Sequence, residues 1–404
     1  MLAPKLRFKE FNDEWDYKLF NQIFEFIQNN SFSRDMLNYD ENSKIYNIHY
    51  GDILTKYGEI IDFNIISNIV PKINNDVSLS KFENKSYLKN GDIIIADTAE
   101  DLTVGKSCEV VNLHCKALAG LHTIPCRPKF KFASQYLGEY INSTSYHSQL
   151  IPYVTGIKVS SISKTSIIKT KIYFPTIKEQ EKISELFSLL NKKIELQQKK
   201  IEVLKMYKRG LMQKIFDNTE INNWSTNILR NILIPGSKVP VTDTSKYQKI
   251  TIKLNLQGIT KSNVNREMAD TRPFYIRREN EIIIGKQNYF NGSIAILPKE
   301  FDGCICSNAI MSFSVNSNYL TKFVYYYISQ NNYIKRREYF ANGTGQKELS
   351  ENDFLNFQIK APSMDEQKHI TNILDTIDSK INSNVNIYNS LTKLKKSLLQ
   401  QMFI

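Results

Sequence analysis

Two glycine-containing loops carry the side chains in this chain best suited to meeting a polyanion. Tyr153 to Ser163 holds Thr155, Gly156 and Lys158, and Phe340 to Ser350 holds Gly343, Thr344, Gly345, Gln346 and Lys347. Backbone amides freed by glycine, together with hydroxyls and ammonium groups, suit phosphate oxygens, and Gln346 has the donor and acceptor needed for a base edge. Two further loops follow short apolar runs: Asp97-Thr98 after Gly91-Asp-Ile-Ile-Ile-Ala96, and Lys286-Gln287-Asn288-Tyr289 after Glu281-Ile-Ile-Ile-Gly285. Both expose groups that hydrogen bond bases, and their dissimilarity fits two different readouts. A plain surface turn accounts for each loop alone; their paired placement favours function.

Other chemistry is weaker. Thr103-Val-Gly-Lys-Ser107 looks like the end of a phosphate-binding P-loop, but Glu100 stands where the motif needs its first glycine. Asp76 with Glu83 and Lys85 has the residue types of a magnesium-dependent nuclease, in a polar stretch where chance explains them better. Cys108, His114, Cys115, His122 and Cys126 lack a Cys-x2-Cys knuckle, and Cys304-x-Cys306 reads as two small residues on one side of a core strand. No nucleophile elbow and no Asn-Pro-Pro-aromatic or Asp-Pro-Pro-aromatic methyltransferase tetrapeptide occurs. The sequence therefore shows no active site and no metal site.

The elements that must position these loops come as an internal repeat. Pro175-x3-Glu179-Gln180-x2-Ile183 returns as Pro362-x3-Glu366-Gln367-x2-Ile370, and Leu211-x-Gln213-x2-Phe216 as Leu398-x-Gln400-x2-Phe403, without a gap. Between those ends Ile183, Phe187, Leu190, Ile194, Ile201, Leu204, Leu211 and Ile215 follow alternating steps of four and three, the seam of a helix packed along another. Ile370, Leu374, Ile377, Ile381, Tyr388, Leu391, Leu398 and Met402 repeat it. Gln197 and Asn384, and likewise Lys208 and Lys395, are polar seam positions in both copies; such residues cost stability and can fix register. Each helix is about 55 to 60 Å long. The economical way to cover both stripes is to pack the copies antiparallel on each other.

Upstream, Trp15-x3-Leu19-x3-Ile23 and Trp224-x3-Ile228-x3-Ile232 have helical spacing and mark where each globular unit starts. Strand-like runs fill both units: Lys44 to His49, Cys108 to Leu113, Ile167 to Phe174, Lys249 to Leu254, Gly292 to Leu297 and Ile305 to Val315. Helix-like patches, Ser134 to Gln149 and Asn318 to Tyr339, precede each unit's end. The fold class is α+β: two mixed α/β domains, 1–173 and 218–360, with helices in 174–217 and 361–404 forming an antiparallel coiled coil with pseudo-two-fold symmetry.

The chain has 404 residues, 41% hydrophobic, no signal-like start, no run long enough to cross a bilayer, and five irregularly spaced cysteines, which points to a reducing cytoplasm and no membrane. A net charge of +12 attracts polyanions, chiefly nucleic acid.

These features resemble the specificity subunit of Type I restriction-modification enzymes. The resemblance rests on the opening Pro4-Lys-Leu-Arg-Phe8 with Phe11 and Trp15, the Gly91-Asp-Ile-Ile-Ile strand, the glycine loop before each terminal strand, and the doubled Pro-x3-Glu-Gln helix, and it covers essentially the whole chain. It implies two target-recognition domains that each read half of a split double-stranded DNA sequence, held apart by the helices. It also implies a non-catalytic chain that docks two modification subunits, adenine methyltransferases using S-adenosylmethionine, and through them ATP-dependent restriction subunits requiring Mg²⁺; no cofactor is expected on this chain itself. Two departures stand out: Asn280-Glu281 replaces Gly-Asp, and the two glycine loops read Gly156-Ile-Lys-Val and Gly343-Thr-Gly-Gln. The rival readings are a stand-alone nuclease built on Asp76, Glu83 and Lys85, and a structural coiled-coil protein that binds no DNA.

Overall fold

The structure, a computed structural model, describes residues 2–101, 103–156, 158–217, 224–262, 272–338 and 348–404. It divides into two compact units, Met1–Gln198 with Ile387–Ile404, and Lys199–Asn386. Each unit takes one globular domain, the start of one long helix and the end of the other.

In the first unit the central sheet runs in the order Phe24–Phe26, Thr123–Pro128, Ile93–Ala96, Ser107–Val111, Ile60–Asp62, antiparallel except for the last pair. Its middle strand, Ile93 to Ala96, is buried on both faces, as a purely apolar run demands. A four-stranded sheet (Lys116–Ala119, Ile45–Ile48, Lys72–Ile73, Leu37–Asn38) adds a second, smaller core around Phe32, Ile73, Phe82 and Leu118. The second unit repeats the first four strands of the central sheet as Leu233–Pro235, Ile310–Val315, Ile282–Gly285 and Ile294–Ile296. The turn into the middle strand survives its change of sequence. Gly91 has φ 86° and Asn280 has φ 68°, a conformation asparagine tolerates better than most residues. Asp92 accepts from Lys89 N and Glu281 from Arg278 N, so the same clasp closes both turns.

The helix expected to run on from each tryptophan gives way to a strand, with only a short turn after it: Phe20–Ile23 in the first unit and Leu229–Asn231 in the second. Asp16–Leu19 is a strand antiparallel to Lys171–Phe174, and Ser225–Ile228 pairs with Gln358–Ala361 in the equivalent register. Pairing with the strand that leads into the long helix overrides a spacing of four; Leu19 is 39% exposed, while Trp15 is buried. Ile167 to Phe174 likewise divides into a helical turn, Lys164–Ile167, and the strand Lys171–Phe174. Ile305 to Val315 is two strands, Ile305–Ser307 and Ile310–Val315, and Ser134 to Gln149 is two helices, Tyr136–Ile141 and Thr144–Leu150, broken where Ser143 caps the second.

The long helices are Ile177–Asp217, 41 residues, and Met364–Gln401, 38 residues. Ile183, Phe187, Leu190, Ile201, Ile370, Leu374, Ile377, Ile381 and Asn384 are buried, and Ile194, Gln197, Leu204, Leu211, Tyr388, Leu391 and Leu398 are half-buried, so every seam position faces inward. In the first unit Ile183 and Phe187, from the start of one helix, pack with Leu398, Met402 and Phe403 from the end of the other. In the second unit Leu211, Ile215 and Phe216 pack with Ile370 and Leu374. Within each unit the helices therefore run antiparallel.

The repeated end residues now have physical reasons. Phe403 stacks on Phe187 with ring centroids 5.7 Å apart and closes an aromatic cage of Trp15, Tyr136 and Tyr140. Phe216 does the same with Trp224, Phe323 and Tyr327. Each domain's cage is thus plugged by the helix that follows the other domain. Glu179 and Glu366 accept from the indole nitrogens of Trp15 and Trp224, at 3.4 and 3.1 Å. Gln180 donates to Pro175 O and accepts from Ala133 N; Gln367 donates to Pro362 O and accepts from Leu320 N. The Glu-Gln pair therefore locks each helix to its own domain.

The two polar seam lysines are ion-paired. Lys395 lies 2.6 Å from Glu59 and 3.6 Å from Glu139, and Lys208 lies 2.6 Å from Asp378 and 4.8 Å from the centre of the Tyr326 ring. Among the described residues no helix is long and apolar enough to cross a membrane.

Candidate nucleic-acid interface

In the first unit the fold brings two of the separate candidate loops onto one edge. The chain leaves the buried strand at Ala96, and Thr98–Ala99 then pairs antiparallel with Ser160–Ser161, so Thr98 lies opposite Ser161. Ile162 N donates to Asp97 O at 2.9 Å, and Thr155 and Ser161 exchange backbone hydrogen bonds at 3.0 and 2.8 Å. Gly156 makes the turn between them with φ 104°, where an added Cβ would overlap the carbonyl oxygen of Val159, so only glycine fits. Thr155 and Lys158 are exposed, and Asp97 and Thr98 are partly so.

A third segment joins this edge. Asp97 N donates to His122 O, and the His122 imidazole, on a backbone with φ 53°, lies 3.3 Å from Asp97 and 3.4 Å from the Thr98 hydroxyl. Tyr50 meets His122 edge-on at 5.1 Å and rests on His49. Burial, reinforced by the Arg34 guanidinium, pulls the His49 imidazole down to about 4, so it is neutral near pH 7 and accepts from Gly51 N. Arg34 itself is held by two bonds to the buried Asp52 carboxylate. The edge thus offers a carboxylate, hydroxyls, an imidazole and a phenol, with Lys158 nearby. A carboxylate accepts from a base amino group, and hydroxyls serve either as donors or acceptors. The sequence drew attention to His122 only within the cysteine-histidine group and to Tyr50 not at all, because no pattern links position 122 to 97; the Gly120-Leu-His122 turn between two strands was the available hint.

The second unit builds its edge on the same bond. Leu349 N donates to Lys286 O at 3.0 Å, the counterpart of Ile162 N to Asp97 O. Lys286 is half-buried, whereas Gln287 and Asn288 are exposed on a turn closed by Asn288 N to Gly285 O. Asn291 donates to the Asn288 side chain, and the loop at Asn255 and Leu256 bonds to Asn291 and Gly292. Gly343, Thr344, Gly345, Gln346 and Lys347 lie outside the described residues.

The remaining motifs take structural roles. Lys106 of the P-loop-like run donates to the carbonyls of Leu54 and Tyr57, so its ammonium is occupied. Glu83 pairs with Lys85 on the surface. Cys108, Cys126, Cys304 and Cys306 are buried, and Cys306 accepts from Arg277 Nε at 3.1 Å. Among the described residues no group of His, Cys, Asp and Glu is arranged to hold a metal ion.

The profile of the family described as the Type I restriction modification DNA specificity domain matches residues 12–206 and 227–393. A relative in Methanocaldococcus jannaschii, assigned as the Type I restriction enzyme MjaX specificity subunit, is 24% identical over 98% of this chain and 94% of its own length. The MjaVIII specificity subunit of the same organism is 22% identical over 60% of this chain and 64% of its own. Among solved structures, the S subunit of a Type I restriction-modification system from M. genitalium superposes with a TM-score of 0.58 at 14% identity, covering 100% of this chain and 99% of that one. A chain from a structure of complex assembly in the type I system gives 0.56 at 13% identity, over 95% and 96%.

Proposed function

The chain belongs to the family of Type I restriction-modification DNA specificity subunits, a recognition subunit and not the catalyst, and from that premise we propose how its parts divide the work. Each domain reads one half of a bipartite double-stranded DNA sequence. In the first, Asp97, Thr98, Thr155 and the Gly156 to Lys158 turn face the DNA, joined by Ser161, His122 and Tyr50. In the second, Lys286, Gln287 and Asn288 do so together with the Gly343 to Lys347 loop. Lysines bind phosphates and supply affinity without choice, while the shorter polar groups supply choice. The long helices set the gap between half-sites and carry two modification subunits, and restriction subunits join through these. S-adenosylmethionine, ATP and Mg²⁺ belong to those partners, in the cytoplasm.

The observation that carries this reading is one backbone bond made twice with different side chains displayed beside it: Ile162 to Asp97, and Leu349 to Lys286. A shared scaffold with unlike displays is what two readers of different half-sites require. The test is to replace Asp97, Thr98 and His122 together by alanine and sequence the methylated adenines in a host expressing the assembled methyltransferase. One half of the methylated motif should relax or vanish while the other stays fixed. A motif changed in both halves, or in neither, overturns the division of labour.

A further inference from the structure

The two domains share a frame, but six lysines of the first have no basic counterpart in the second. In the first unit Lys18 and Lys171 lie on the two-stranded ribbon, Lys129 and Lys131 on the loop before the helix Tyr136–Ile141, and Lys164 and Lys169 on the segment from the Ser163 cap to the ribbon. The ribbon registers and the bonds Lys129 N to Ile23 O and Asn316 N to Ile232 O identify the counterparts in the second unit. They are Asn227, Gln358, Asn316, Asn318, Glu351 and Asn356. Six lysines face four asparagines, one glutamine and one glutamate. Near the second unit's counterparts, Lys238 and Arg230 are tied to Glu351, Asn352 and Asn356, and a single lysine, Lys360, stands on the ribbon where the first unit has Tyr173.

Four of these lysines rest on aromatic rings at the surface of the first unit. Lys171 lies 4.7 Å from the centre of the Tyr17 ring, Lys169 5.3 Å from Tyr153, Lys164 5.4 Å from Phe26 and Lys18 5.6 Å from Phe130. Tyr17 is 45% exposed and Phe130 53%. An ammonium resting on a ring keeps protons for an acceptor beyond it, and it is held in place without a carboxylate to neutralise it. Lys164 follows Ser161 of the reading edge by three residues, and Lys169 rests on Tyr153 at the start of the loop that carries Gly156, so these lysines adjoin the segments already assigned to DNA.

Resting on the DNA-recognition reading above, we infer that these lysines make a second, sequence-independent contact to the phosphate backbone on the first domain's half-site alone. The chain is then an asymmetric binder: one half-site is held by reading and by charge, the other by reading. The exposed rings add places for sugar and base edges to lie against, and charge complementarity with the duplex favours DNA over an apolar partner.

The test measures binding of the purified full chain to a random-sequence duplex across a salt titration, comparing the natural protein with K18N/K169N/K171Q, which copies the second unit's residues. Each lost phosphate contact lowers the slope of log affinity against log salt by about 0.9, so the variant's slope should fall by about 2.7. The loss of affinity between about 50 and 200 mM salt should then be about 40-fold smaller than in the natural protein. The methylated motif in the assembled complex should be unchanged. An unchanged slope overturns the inference, and so does an unchanged slope with loss of the modification subunits on co-purification, which would make these lysines a protein-docking site. A natural protein that prefers no sequence at all would instead remove the reading beneath it, a failure visible without the variant.

Discussion

The aromatic cage around Phe403 and the loop edge around Thr98 lie in the same unit, yet their counterparts in the second unit behave oppositely. The cage is rebuilt with aromatic rings at the same four places: Trp15 becomes Trp224, Tyr136 becomes Phe323, Tyr140 becomes Tyr327 and Phe403 becomes Phe216. The edge keeps only its backbone, since Asp97-Thr98 becomes Lys286-Gln287. Groups that hold the molecule together must satisfy one another, so a change in one strands its partner in the core. Groups that face a ligand answer only to the ligand.

The comparison is broken most severely by emptying the cages. Phe403→Ala and Phe216→Ala each remove a buried ring that touches other rings, which should cost about 3–5 kcal/mol. The chain carries its own reporters, because its only two tryptophans sit one in each cage. In urea titrations followed by tryptophan fluorescence, with Trp224→Phe or Trp15→Phe in the background, Phe403→Ala should shift the Trp15 transition and leave that of Trp224 nearly in place. Phe216→Ala should do the reverse. Equal shifts in both signals would mean that the cages are not separate supports.

A smaller effect separates the two seam lysines. Lys395 is 12% exposed and faces Glu139, 1% exposed, and Glu59, 24% exposed. Lys395→Met leaves two acids uncompensated in the core and should cost about 3 kcal/mol. Lys208 faces Asp378, which is 34% exposed and also accepts from the Tyr326 hydroxyl. Lys208→Met should cost about 1 kcal/mol. The same residue at the same seam position thus has two different weights, and thermal melts of the two variants would measure the ratio.

The helices, their register and the doubling were all legible in the sequence, because a seam repeats locally and a gapless repeat needs no structure to be seen. Partners were not legible. Glu179 and Gln180 stood out by recurrence, but that one takes an indole proton and the other ties Ala133 to Pro175 depends on segments far away in the chain. Local spacing misled from Trp15 to Leu19, where a step of four looked helical and the long-range ladder from Asp16 to Phe174 decided otherwise, leaving only the turn Phe20–Ile23 helical. The site shows the same limit. Glycines exposed the Gly156 loop, but the pairing of Thr98 with Ser161 and the arrival of His122 come from three segments meeting, and no one of them contains that information.

The finest difference between the copies concerns pH. Burial pushes Glu139 and Glu109 in the first unit up to about 7, against the pull of Lys395 and Asn191 on the one and of the Gly138 and Gln135 amides on the other. At the equivalent positions the second unit has Tyr326 and Ile296, which bring no buried carboxylate. A carboxyl whose folded value is raised binds its proton more tightly in the fold, so its contribution is fully present below about 4.5 and is lost as pH rises towards about 7. His49, held down to about 4, works the other way, its contribution fading as pH falls below about 6.5. Glu59, held below its usual value against its burial, chiefly by Lys395, likewise opposes the gain only in more acidic solution. Glu139→Gln isolates one group: it removes a buried charge while Glu59 keeps its bond to Lys395. The variant's first unit should be more stable than the natural one at pH 8, with the advantage shrinking to nothing by about pH 5, as read from the Trp15 transition. The Trp224 transition should not respond. An advantage that stayed constant across that range would show that Glu139 is already protonated at pH 8, and the charge balance around Lys395 would then rest on Glu59 alone.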